Sequence, residues 1–231
     1  MITKLKLGLS NAYLIQEKGA ILVDTGSPGE EKKIIAALAQ TGLSLKDIGL
    51  ILHTHVHSDH VGSTVALRQQ ADIPVAFHPA DQPLADLGHN GSLTGVGWRG
   101  RLMQRFFAGT AFDAPRPTFP LSDGLRLEAY GVAGVVRHTP GHTAGSVSVL
   151  LDSGEAIIGD VLMGGYMGGN LLPAKPNRHY FAEDINQVYA SLDFLLGQPL
   201  HTLYVGHGGP LRVDRVRAAG FVPSSAFLLR P

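Results

Sequence analysis

The chain has 231 residues, no cysteine, 44% hydrophobic and 16% charged residues, and 19 basic side chains against 19 acidic ones. That length suits one packed domain over 1–231. The apolar content excludes a disordered chain, and no run approaches the roughly 18 apolar residues of a membrane span. A formal net charge of +0 leaves no global field to gather nucleic acid or anionic lipid. Without cysteine there are no disulfides, zinc-thiolate sites or thiol nucleophiles, so the 11 histidines with Asp and Glu are the available metal ligands.

Residues 1–15 alternate like a strand and lack the apolar core and cleavage site of a signal peptide, which predicts a cytoplasmic protein. The run 21–23 reads as a buried strand ending at Asp24-Thr-Gly. Ser27-Pro-Gly-Glu30 then reads as a capping box with Pro28 at the first helical position. Ile34, Ile35 and Leu38 supply that helix's apolar stripe, and Gly42 stops it. A strand over 48–52 delivers the chain into His53-Thr-His-Val-His-Ser-Asp-His60. A helix from about 60 to 70 and a strand over 74–77 follow.

The stretch 79–120 is rich in Gly and Pro, yet it carries Trp98, Met103, Phe106, Phe107 and Phe112, and it reads as an insertion bordering a pocket. Strand signals return at 125–130, 135–138, 146–151 and 156–158. Ile185, Val188, Leu192, Leu195 and Leu196 keep helical spacing before Gly197. The run 202–205 is a strand leading into Gly206-His-Gly-Gly. The tail after Ala219 has no element assigned to it.

In an extended segment alternate side chains share a face, so His55, His57 and Asp59 can point into one cavity while His60 opens the next helix. Three more polar motifs sit at strand ends: Thr139-Pro-Gly-His142-Thr-Ala-Gly-Ser146, Gly159-Asp160 and Gly206-His207. Loops after strands are where a rigid scaffold presents ligands.

Together, Asp24-Thr-Gly, His55-x-His57-x-Asp59-His60, Pro140-Gly-His142, Gly159-Asp160 and Gly206-His207 resemble the metallo-β-lactamase superfamily, in the family's order and over most of the chain. The resemblance implies an α+β fold, a four-layer αββα sandwich with a dinuclear metal site at one edge. It implies that His55, His57 and His142 hold a first zinc, that Asp59, His60 and His207 hold a second, and that Asp160 bridges them. Two Zn²⁺ per chain are expected, with Fe or Mn compatible with the same ligands. Three protein ligands per ion leave a position for water, whose pKa the metals pull toward roughly 7. The expected reaction is attack of a metal-bridging hydroxide on a carbonyl carbon, with Asp59 as the catalytic carboxylate that orients the nucleophile or passes its proton on.

Asp24 is expected outside the ligand set, accepting a hydrogen bond from a ligand imidazole or nearby backbone, with an Asx-turn residue as the competing reading. Tyr166, shortly after Asp160, is a candidate substrate-side residue by likeness to lactonases. His53 reads as a buried structural imidazole, and His78 and His138 as pocket-lining or structural. The substrate expected is an ester, lactone or thioester, favouring a neutral or mildly polar small molecule. Alternatives are β-lactam hydrolysis, a mononuclear iron persulfide dioxygenase and a non-catalytic metal-binding protein. No nucleic-acid or membrane partner is expected, and a homodimer is compatible with the fold.

Overall fold

Two β-sheets stack face to face, with helices on their outer sides; the computed structural model describes residues 1–221. The first sheet starts with β1 (Ile2–Lys6), β2 (Asn11–Gln16) and β3 (Ala20–Val23), paired antiparallel. After α1 (Glu31–Gln40) the chain returns as β4 (Leu50–Leu52), parallel to β3. Two short helices, α2 (Ser58–Val61) and α3 (Thr64–Arg68), lead to β5 (Val75–Phe77), and α4 (Gln82–Leu87) and α5 (Gly97–Phe107) precede β6 (Phe119–Pro120) at the sheet edge.

The second half supplies β7 (Gly134–His138), β8 (Val147–Leu151) and β9 (Glu155–Ile157), then a hairpin of β10 (Met163–Tyr166) and β11 (Leu171–Asn177). Helix α6 (Ile185–Leu196), β12 (Thr202–Tyr204), β13 (Leu211–Arg212) and α7 (Val213–Ala218) complete it, with the second sheet ordered β13-β12-β9-β8-β7.

The strand sequences explain the layering. On β2 and β3, Tyr13, Ile15, Ile21 and Val23 turn toward Val136, Val149, Leu151 and Ile157 of the second sheet. Their neighbours Leu14 and Leu22 face the other way, onto Ile34 and Leu38 of α1 and Leu67 of α3. Strands buried on both faces need continuous apolar runs, as 21–23 and 48–52 have. Behind the second sheet, Leu150, Ala156 and Leu203 pack against Val188, Leu192 and Leu195 of α6 and Val216 of α7. The result is the expected αββα sandwich. No helix among the described residues is long and apolar enough to cross a membrane.

Three local expectations are corrected. Helix α1 begins at Glu31 rather than Pro28, because the Glu30 carboxylate accepts from Ser27 N (2.9 Å) and Gly8 N (2.7 Å) and holds 27–30 as a turn. The helix expected over 60–70 is broken into α2 and α3 at Gly62, whose N–H donates to the Gly26 carbonyl at 2.8 Å and where a Cβ would lie 2.3 Å from Pro28 N. Residues 125–130 are not a strand. Leu125 and Leu127 do reach the inter-sheet core, but only Arg126 bridges to β7, and the chain then turns so that Gly131 O accepts from Lys18 N and Gly19 N. The β10–β11 hairpin and the short β13 and α7 were not foreseen. The expected span of one domain through 231, and the tail after Ala219, fall partly on 222–231, outside the described residues.

Candidate metal centre

All the strand-end motifs converge at one end of the sandwich. After β4 the chain bends at Thr54 and His55 and is extended again at His57 (φ −112°, ψ 155°), which precedes α2; His55 and His57 enter one space and α2 adds Asp59 and His60. The β7–β8 loop brings His142, the 3₁₀ turn after β9 brings Asp160, and the loop after β12 brings His207. The two sheets are tied together here: Asn11 Nδ2 donates to the Val205 and Gly208 carbonyls (both 2.9 Å), and the Tyr13 hydroxyl donates to Val205 O (2.6 Å).

Ligand atoms of His55, His57 and His142 lie within 4.8 Å of one another, as do those of Asp59, His60 and His207, and those of His55, His60 and Asp160. Oδ2 of Asp160 is the hub, 3.3 Å from His207 Nε2, 3.5 Å from both His60 Nε2 and His142 Nε2, and 3.9 Å from His55 Nε2. His57 Nδ1 and His142 Nε2 stand 3.0 Å apart. His55 Nε2 and His60 Nε2 are buried with no hydrogen-bond partner. Burying such atoms unpaired is unfavourable, and a divalent cation among imidazoles and a carboxylate is the partner that satisfies them. The residues present fit a metal pair.

The outer partners fix which nitrogen faces inward. A carbonyl or carboxylate oxygen accepts only from an N–H. His142 Nδ1 therefore donates to Phe181 O (2.9 Å), His207 Nδ1 to Leu9 O (2.8 Å) and His60 Nδ1 to Asp24 Oδ2 (2.8 Å), leaving each Nε2 free toward the hub. The Thr54 hydroxyl gives its proton to Asp24 Oδ2 (2.8 Å) and so accepts from His55 Nδ1 (3.1 Å).

The electrostatics divide the cluster. Burial, reinforced by neighbouring imidazoles, pushes His55 and His142 well below the ordinary imidazole pKa, and burial takes His57 down to about 4. For His60 burial works the same way but is outweighed by Asp160, Asp59 and Asp24, which hold its pKa well above the ordinary value. His207 is raised likewise against burial, by Asp160 and Asp59. Asp160 stays well below the carboxylate range, the surrounding imidazoles overcoming its burial.

Asp24 sits beneath the cluster, buried, accepting also from Thr54 N at 2.8 Å. His53 lies on its far side, 3.6 Å from Asp24 Oδ1, with its Nε2 on the Thr64 hydroxyl (2.9 Å). Tyr166 is not brought to the cluster; its hydroxyl accepts from Lys175 Nζ (3.1 Å) and it lines a neighbouring groove. His78 and His138 stack on each other, centroids 4.1 Å apart.

Three residues escaped sequence reasoning. His179 places Nε2 3.1 Å from Asp160 Oδ2, beside His142 and His207, but it follows the unforeseen hairpin and shares no motif spacing. Buried Asp81 accepts from Val56 N (2.9 Å), Gly145 N (2.6 Å) and Thr143 Oγ1 (2.9 Å), joining the two histidine-bearing loops. Asn90 Oδ1 accepts from Ser58 N (2.7 Å). The only sequence signal for Asp81 and Asn90 was their place in the insertion.

The cavity above the cluster is lined by His57, Asp59, Asp160, His179 and His207 below, and by Met103, Phe107 and Phe181 at its apolar rim. A sequence model of the metallo-β-lactamase superfamily matches residues 5–207, spanning every one of these motifs. A relative from Methanocaldococcus jannaschii named as a probable metallo-hydrolase is 29% identical over 204 residues, covering 86% of this chain and 87% of its own. The hydroxyacylglutathione hydrolase of Vibrio cholerae is 27% identical over 198 residues, 84% of this chain and 60% of its own. Among solved structures, TTHA1623 in a di-iron-bound form superposes with a TM-score of 0.68 at 30% identity, over 96% of this chain and 98% of that one. With its sandwich, its His/Asp cluster and these similarities, the chain belongs to the metallo-β-lactamase superfamily, as a metallo-hydrolase.

Proposed function

We propose that this metallo-hydrolase holds two metal ions, zinc in the first instance, and cleaves an ester, lactone or thioester. The observation that carries this reading is the place of Asp160 Oδ2, 3.5 Å from His142 Nε2 and 3.9 Å from His55 Nε2 of one three-residue group, and 3.3 Å from His207 Nε2 and 3.5 Å from His60 Nε2 of the other, with His57, Asp59 and His207 of the two groups lining the same cavity. Such a pair, when bound, supplies a Lewis acid and a water of lowered pKa at neutral pH. His142, His207 and His60 are locked by their outer hydrogen bonds, so the ligand cage is preorganised rather than assembled at each turnover. Asp59 is the least buried of the cluster's carboxylates, its Oδ2 3.4 Å from His207 Nε2, and it lines the cavity where it can accept a proton from the attacking water and return it to the leaving group. Met103, Phe107 and Phe181 exclude bulk water from the reacting carbonyl.

Iron in place of zinc is the second reading, favoured by the di-iron form of TTHA1623 and compatible with the same donors. The similarity to the Vibrio cholerae hydroxyacylglutathione hydrolase supports thioesters within the substrate panel. The test is elemental mass spectrometry on protein purified without added metal, beside hydrolysis of a lactone, a thioester and a β-lactam. Two metals per chain with chelator-sensitive lactone or thioester cleavage is expected, lost in His57→Ala and Asp160→Ala. Full cleavage by either variant in chelator, or one iron per chain with oxygen uptake on a persulfide, would overturn it.

A further inference from the structure

The catalytic cavity does not end at its rim. Leu9, Met103, Phe107, Gly168 and Tyr180 are shared with a second groove of about 810 Å³, whose outer walls are Trp98 and Leu102 of α5 and Met167 and Leu171 of the β10–β11 hairpin. These four are 70%, 58%, 73% and 52% exposed, an apolar strip that a soluble surface seldom carries without a ligand to cover it.

The charge of the strip is one-sided. Between 87 and 112 the chain has Arg99, Arg101 and Arg105 and no carboxylate; between 161 and 182 it has Lys175 and Arg178 and none. The two segments that wall the groove are therefore cationic in a chain whose overall charge is +0. Two of the cations meet at the groove's outer end. The Arg99 guanidinium lies 5.5 Å from the Tyr166 ring centroid, and Lys175 Nζ lies 5.2 Å from that ring and 3.1 Å from its hydroxyl. Lys175 and Arg99 also lower the Tyr166 pKa, as a local excess of positive charge does.

We propose that the groove is the substrate's second binding site and that it takes an amphiphilic anion: a carbonyl compound whose apolar chain lies along Trp98, Leu102 and Met103 and whose anionic group meets Arg99 and Lys175. This rests on the hydrolase reading above for the carbonyl end, and it replaces the expectation of a neutral or mildly polar substrate. An apolar wall alone would admit neutral lipids equally; the carboxylate-free segments and the paired cations select among them.

Trp98 is the chain's single tryptophan, so intrinsic fluorescence reads this groove directly. The experiment titrates octyl, decyl and dodecyl phosphate, decanol and decyltrimethylammonium into chelator-treated protein, below their micellar concentrations. Saturable changes in Trp98 emission are expected for the phosphates, about fourfold tighter per added buried methylene. Decanol should bind about tenfold more weakly than decyl phosphate, and decyltrimethylammonium more weakly still. The double variant Arg99→Gln/Lys175→Gln should bring decyl phosphate to the decanol affinity, and Leu102→Glu should weaken the alkyl phosphates and decanol; all three side chains are exposed, so folding is spared. With the metal-loaded protein, an activated ester bearing a terminal carboxylate should show a lower KM than its neutral counterpart, a preference the double variant removes. Equal binding of cationic and anionic probes, an unchanged decyl phosphate affinity in the double variant, or emission changes only with anionic vesicles would each overturn the proposal. Because binding is read without metal, the groove can fail while metal-dependent hydrolysis stands, and the reverse.

Discussion

Replacing Asp24 by Asn isolates the carboxylate that stands behind the metal ligands. Asp24 has φ 62°, a left-handed conformation that Asn tolerates and Ala does not, so the backbone is kept. Its carboxylate accepts from Thr54 N, Thr54 Oγ1 and His60 Nδ1, each at 2.8 Å. An amide can keep its oxygen toward Thr54 N, but its NH₂ then faces His60 Nδ1, which must surrender its proton and become the acceptor. The ring's remaining proton moves to Nε2, the atom that faces Asp59 and His207, and His60 ceases to be a ligand. Losing such an outer partner lowers metal affinity about 10- to 100-fold, or about 1.4–2.8 kcal/mol, and the loss should fall chiefly on the Asp59/His60/His207 group, with a smaller one at His55, whose Thr54 partner loses its acceptor at the same atom. The lost charge-assisted bond costs about 1.5–3 kcal/mol of stability, a fall in Tm of roughly 3–12 °C for a chain of this length. Calorimetric titration of metal into chelator-stripped protein, with melting curves before and after, reads both. Two metals bound with wild-type affinity and an unchanged Tm would refute the role given to Asp24.

The split electrostatics predict different proton uptake by the two groups. Burial holds the pKa values of His55, His57 and His142 below the ordinary imidazole, so metal binding there should release no proton and be insensitive to pH near neutrality. His60 and His207, with pKa values raised above the ordinary imidazole by their carboxylate neighbours, keep a second ring proton to higher pH than the first group does, and metal must displace it. Affinity there should rise with pH by up to about 100-fold per unit, seen as up to about two protons released in calorimetry across buffers of different ionisation enthalpy. Equal release at both steps would contradict the split. Gly206→Ala would set a Cβ 2.0 Å from Asp160 Oδ1 and 2.7 Å from His60 Cε1; the Asp160 carboxylate must move, and metal content should fall below one per chain while circular dichroism stays native. His179→Gln removes the imidazole 3.1 Å from Asp160 Oδ2 and should weaken metal binding about tenfold, whereas an unchanged affinity would make His179 a wall residue only.

How much of this was legible in the sequence follows from where each signal arises. The strands at 21–23 and 50–52 were readable because burial on both faces demands unbroken apolar runs. His55, His57 and Asp59 were expected on one face of an extended segment, but the chain bends at Thr54 and His55 and Asp59 lies in α2; the three are brought to one site by that bend and helix rather than by a two-residue repeat. Residues 125–130 misled because Leu125 and Leu127 are drawn to the core whether or not the backbone between them pairs in a ladder. The β10–β11 hairpin was invisible for the opposite reason. Its Met167, Leu171 and Leu172 are exposed and its turn is glycine-rich, so neither alternation nor propensity marks it. His179 follows that hairpin, and its place beside Asp160 is fixed by long-range packing that no local pattern encodes.

The insertion shows how a wall can also be a brace. Asp81 and Asn90 sit at the base of 79–120, and between them they take up the backbone N–H groups of Val56 and Ser58, on either side of His57, and of Gly145, in the loop that carries His142. Asn90 Nδ2 also donates to Phe107 O at 3.1 Å, fastening the end of α5 to the same residue. Any swing of the whole insertion would therefore pull on the loops that present His57 and His142. The start of α5 is fastened as well: Val96 N donates to Tyr180 O at 2.7 Å, Ala182 N donates to Thr94 O at 3.1 Å, and Gly100 packs so closely on Tyr180 O that a Cβ there would lie 2.1 Å from it, so the exposed Trp98, Leu102 and Phe106 stand on a helix held at both ends.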